Sequence, residues 1–145
     1  FPVNRIAPCF VYVPEWVWSG GTIMVNWVLR IVVAAALLGS AGVHYFLWTQ
    51  DYPGITGTLF LLDAIAGLVL AIAVLAWRHW LPALGAVGFG ALTLGAYVLA
   101  ATVGFLGNHD QFNSQPEYWG VITEAVCIVG GIALLFVKDR RRVTA

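Results

Sequence analysis

The chain has 145 residues, of which 61% are hydrophobic and 10% charged, with seven Lys plus Arg balancing seven Asp plus Glu. Soluble globular domains carry about a quarter charged residues, so this composition excludes an ordinary water-soluble enzyme and points to a bilayer. Zero net charge gives no reason to expect DNA or RNA as a partner.

Residues 1–24, FPVNRIAPCFVYVPEWVWSGGTIM, contain Pro2, Pro8 and Pro14 and show no clean helical period, which predicts an irregular tail. Trp16 and Trp18 suit interfacial anchoring. Alternatively, Gly20-Gly21-Thr22-Ile23 reads as translated leader sequence ahead of a start at Met24 or Val25. No function is placed in this stretch.

Residues 25–145 form the expected transmembrane domain. Four apolar runs reach the roughly 20 residues that a helix needs to cross a hydrocarbon core. They are Trp27 to Trp48, Gly57 to Trp77, Pro82 to Leu106 and Trp119 to Val137. Trp, Tyr and Arg mark the headgroup level at their ends, and Pro and Gly punctuate the turns. The first run begins like a secretory signal, with Arg30 before Ile31 to Leu38 and Gly39-Ser40-Ala41 after it. Its apolar character continues to Trp48, longer than a signal core requires, so it is read as a span. The expected fold is an all-α, polytopic four-helix bundle.

Charge is one-sided along this pattern. Arg30, Arg78 and the tail Lys138, Arg140, Arg141 and Arg142 fall at one set of span ends, whereas Asp51, Asp110 and Glu117 fall at the other. The positive-inside rule then puts both termini in the cytoplasm of a plasma membrane, with these cations as topology anchors. The tail also suits contact with anionic lipid.

Helices in lipid associate through small residues that let backbones approach. Gly39, Gly42, Gly67 and Ala71 serve the first two spans, and Gly120, Gly130 and Gly131 the fourth. Ala86-x-x-x-Gly90, Ala91-x-x-x-Gly95 and Ala100-x-x-x-Gly104 line the third, which is expected to be the packing hub. These features also suit a homo-oligomer or a larger membrane complex.

Asp63 and Glu124 are carboxylates inside apolar runs, where an ionisable group is costly. His44 joins them. Counted from the span ends at 1.5 Å per residue, all three lie roughly 6 to 9 Å below one membrane boundary. Spacings of three and four put His44 on a face with Ser40, Asp63 with Gly67 and Ala71, and Glu124 with Gly120 and Cys127. Tyr97 and Thr102 of the third span are hydroxyl candidates at that level.

Three readings of this triad remain open. It can lock helices together as mutually satisfied polar groups. It can carry protons, because burial favours a neutral carboxyl and a neighbouring imidazolium favours a charged one. It can hold a zinc-, manganese- or iron-type ion, or His44 can serve as an axial haem ligand, although no HExxH motif supports this. His79 lies at the opposite end, and His109 reads as a solvated loop residue. Cys9 and Cys127 have no metal-ligand spacing. Phe46-Leu47, Asp51 and Asp63-Ala64-Ile65 weakly echo Phe105-Leu106, Asp110 and Glu124-Ala125-Val126, a match short enough to arise by chance.

The segments GVHYFLW, LFLLDAIAG and TEAVCIVGGIALL resemble short four-span integral membrane proteins of actinobacteria that carry no assigned activity. The resemblance covers Asn26 to Val137 and implies four spans but no catalytic residue. The leading functional expectation is an accessory or structural component of a membrane assembly. A proton- or ion-coupled carrier using Asp63 and Glu124, and an oxidoreductase using His44, are the alternatives.

Overall fold

A computed structural model describes residues 15–107, 109 and 114–137, with side chains from residue 20 onward. It contains α1 (Glu15–Trp48), α2 (Ile55–Ala76), α3 (Trp80–Thr102) and α4 (Gln115–Phe136). Each helix is long and apolar enough to cross a membrane. The chain is a multi-pass, all-α membrane protein. Large apolar side chains such as Leu92, Val129 and Phe136 are exposed, as lipid contact requires.

The helix ends correct several expected boundaries. Residues 15–24 are helical and extend α1, although an irregular tail was expected there. No proline follows Pro14 in that stretch, and Gly20 and Gly21 are tolerated where nothing packs against them. Residues 1–14, including Cys9, lie outside the described residues. Helix α3 stops at Thr102 rather than Leu106. Gly104 adopts a left-handed φ of 86° and donates its N–H to the Leu99 carbonyl at 2.9 Å, closing the helix. Helix α4 starts four residues before Trp119, because the Ser114 N–H donates to Glu117 Oε2 at 2.8 Å and Pro116 suits a first turn.

Helix α1 is flanked by α2 and α4, α3 runs along α4, and α2 barely meets α3. The hub is therefore α1 with α4, and α3 is peripheral, contrary to the sequence-based expectation. The reason lies in where small residues meet. A Cβ on Gly67 would lie 3.1 Å from the Leu37 carbonyl oxygen, seating α2 on α1. One on Gly90 would lie 2.7 Å from the Glu124 carbonyl oxygen, seating α3 on α4. Val33, Leu37, Val74, Ala86 and Cys127 fill the centre. The α1–α2 and α3–α4 connections share one end of the bundle, called the two-loop end below, and the short α2–α3 turn lies at the other.

Candidate functional site

His44, Asp63 and Glu124 meet in the half of the bundle nearer the two loops. His44 is held by its own helix, one turn after Ser40: Nδ1 lies 2.8 Å from the Ser40 carbonyl oxygen. A carbonyl only accepts, so Nδ1 carries the proton and Nε2 is turned toward the bundle interior. The Ser40 hydroxyl, fully buried, lies 3.3 Å from the same nitrogen. Phe60 and Phe89 flank the imidazole, with ring centroids at 6.0 and 6.2 Å.

Nε2 faces both acids, Asp63 Oδ2 at 3.9 Å and Glu124 Oε1 at 3.7 Å. Both distances exceed those of hydrogen bonds, which need about 2.7–3.2 Å. His44 and Glu124 are 7% and 4% exposed, whereas the Asp63 side chain is 36% exposed. The open side of Asp63 belongs to a cavity of about 130 Å³ that also reaches His44 and Glu124. Tyr52, Phe60, Tyr97 and Phe105 provide its aromatic walls. The cavity sits across the loosely packed α2–α3 seam, with Asp63 on one side and Thr93, Ala96 and Tyr97 on the other. Phe105 and Leu106 enter its wall through the left-handed turn at Gly104, Leu106 and Gly107.

The supporting residues divide. Ser40 orients His44, and Tyr97 lines the cavity with its hydroxyl buried. Thr102 does not belong: it is exposed, and its hydroxyl donates to the Val98 carbonyl of its own helix at 2.7 Å. Thr93 takes the place expected for it. Its buried hydroxyl lies beside the Glu124 carboxyl and also reaches the Phe89 carbonyl at 2.8 Å. No feature of the sequence singled out Thr93, whose hydroxyl bonds its own helix as membrane threonines commonly do.

Arg30, expected as a topology anchor, also has a packing role. It is 7% exposed, its Nε donates to Asn26 Oδ1 at 2.8 Å, and a terminal nitrogen donates to the Val74 and Trp77 carbonyls. It thereby closes the C-terminus of α2, where a cation is favoured. Arg78 is exposed, with its guanidinium 4.8 Å from the centroid of the Trp27 ring. His79 accepts from the Leu81 N–H as the N-cap of α3, and His109 is exposed. Lys138, Arg140, Arg141, Arg142 and Asp110 lie outside the described residues.

The geometry gives little support to a metal or haem centre. Among the described residues no group of three or more His, Cys, Asp and Glu side chains is arranged to hold a metal ion. Nε2, the atom an axial ligand would present, faces carboxylates. Comparison with protein-family models, curated proteins and solved structures finds no match to this chain.

Proposed function

We propose that this protein binds a small ligand within the membrane and handles protons at the same place, in the manner of a small proton-coupled carrier, with Asp63 and Glu124 as proton-binding groups and His44 between them. The observation that carries this reading is the half-open triad: one imidazole nitrogen faces two carboxylates on the wall of a cavity. A purely structural polar cluster is most stable when enclosed and hydrogen-bonded throughout. Here both contacts exceed hydrogen-bonding distance, and Asp63 is turned partly into open space. That weighs against the accessory or structural role expected from sequence. A cavity this small makes a binding site rather than a passage, so transport would run in a homo-oligomer or a larger membrane complex.

Infrared difference spectroscopy across a pH series tests the proposal. A protonated-carboxyl stretch that titrates in the native protein should change in Asp63→Asn and in Glu124→Gln. A spectrum with no such band, or with a band that both variants retain, would sink the reading. The one-sided cations support a plasma-membrane orientation with both termini cytoplasmic and the two-loop end outside. Cysteine labelling of intact cells in the Tyr52 loop checks this; protection of that loop, with labelling at the α2–α3 turn, reverses it.

A further inference from the structure

We infer that the ligand of this cavity is a small organic ammonium ion, and that its binding displaces one proton from the Asp63–Glu124 pair. The inference rests on the proposed proton-handling role and adds the chemical class of the ligand.

Charge is the first argument. Among the described residues, three carboxyl residues line the cavity, Asp63, Glu117 and Glu124, and its only basic side chain is His44. Glu117 accepts from the Ser114 N–H at 2.8 Å and caps α4, so the negative charge open to a ligand comes from the other two. The remaining groups with a dissociable proton are Tyr52 and Tyr97 in the wall and Cys127, one turn from Glu124 and fully buried. None of these adds positive charge. An anionic ligand would therefore meet only repulsion beyond His44.

The walls are the second argument. Tyr52 and Phe60 meet edge to face at 5.1 Å, and Tyr97 and Phe105 complete an aromatic enclosure. Aromatic faces attract cations once water is removed. Hard inorganic cations instead require six or more oxygen ligands, and no metal-holding group is formed among the described residues. Carboxylates beside aromatic walls suit an ammonium head on a short apolar body.

Volume sets the size. A cavity of about 130 Å³ is comparable to the roughly 150 Å³ apolar cavity that accommodates benzene. The ligand is accordingly a monoamine of about the size of a single substituted ring.

Charge balance then supplies the coupling. A buried site costs least when its charges cancel. Without ligand, the charges of His44, Asp63 and Glu124 cancel with at least one of the two carboxyls protonated. With an ammonium ion present, neutrality returns when one carboxyl proton has left. The cation and the proton thus occupy the same charge position in turn, as an exchanger requires.

Calorimetric titration of the protein in nanodiscs, with benzylammonium, benzyl alcohol and benzoate as matched probes, tests this. Benzylammonium should bind at least tenfold more tightly than benzyl alcohol, and benzoate should not bind. Repeating the titration in buffers of different ionisation enthalpy should show about one proton released per ligand. Asp63→Asn and Glu124→Gln should each lose the ammonium preference. Ala96→Leu, which fills the cavity from the α3 side, should block the probe. Equal binding of the alcohol, preference for benzoate, absence of binding by all three, or ammonium binding without proton release would each overturn the inference. If the carboxyl band titrates but the ammonium preference is absent, the proposed proton handling stands and the ligand class falls. A silent carboxyl band removes both.

Discussion

Replacing Gly90 by alanine should separate α3 from α4 and destabilise the bundle, although alanine is the better helix former. A Cβ there would lie 2.7 Å from the Glu124 carbonyl oxygen, 3.0 Å from Ile128 Cγ1 and 3.2 Å from Cys127 Cβ. The nearest of these is backbone and cannot rotate away. Ordinary contact starts at 3.4 Å, so the helices must part by about 0.7 Å at that point, and overpacking of this kind costs roughly 1–3 kcal/mol. Helix propensity returns at most about 1 kcal/mol. With that full return, the net expectation is a loss of up to about 2 kcal/mol. Gly88 and Gly95 on the same helix have nothing within 4 Å of the equivalent Cβ. Alanine at either should be neutral or stabilising by up to about 1 kcal/mol. Reversible unfolding in mixed micelles, followed by tryptophan fluorescence, gives all three values. Gly90→Ala matching the stability of Gly95→Ala would refute the idea that close approach at Gly90 seats α3. The same displacement draws Thr93 away from Glu124, so this variant should also alter the carboxyl stretch.

Two further substitutions separate roles that look alike in the sequence. Arg30→Lys keeps the charge but cannot reach Asn26, Val74 and Trp77 together, so membrane orientation should persist while stability falls by about 1–2 kcal/mol; unchanged unfolding would return Arg30 to a simple anchor. Thr93→Val should cost about 1–2 kcal/mol and shift the carboxyl stretch, whereas Thr102→Val should stay within about 0.5 kcal/mol and leave it alone. Equal effects at the two threonines would remove Thr93 from the site.

The triad was legible because charge in an apolar run is expensive, and helical rise converts position into depth. Depth also explains the errors. Thr102 was placed by assuming that α3 continues to Leu106, but the chain leaves the helix at Val103 and the residue turns outward. Arg30 looked terminal because α1 was expected to begin at Trp27; with α1 starting at Glu15 it lies mid-helix and can fold back onto α2. Thr93 carried no distinguishing mark, since a threonine in any membrane helix can bond its own backbone, as this one does. Only the approach of α4 makes it part of a site. The cavity was equally invisible: it arises where α2 and α3 fail to pack, and periodicity within single helices says nothing about the space between them.

The triad's geometry makes a final prediction that distinguishes shared charge from simple packing. One imidazole nitrogen stands 3.7 Å from Glu124 and 3.9 Å from Asp63, so the two acids compete for it on nearly equal terms. Neither contact is a hydrogen bond, and two unit charges about 4 Å apart attract by about 4 kcal/mol at an effective dielectric of about 20, before desolvation is counted. If the acids share His44, removing one should strengthen the other's hold. The coupling between His44→Ala and Glu124→Gln, measured by a double-mutant cycle of unfolding, should therefore rise in an Asp63→Asn background by more than the roughly 0.5 kcal/mol by which independent sites depart from additivity. A cluster that serves only to fill space has no such reason to couple, because amide and acid have nearly the same volume. A coupling that stays constant when Asp63 is neutralised would mean that the acids do not act on one proton, and both the carrier reading and the exchange with ammonium would lose their basis.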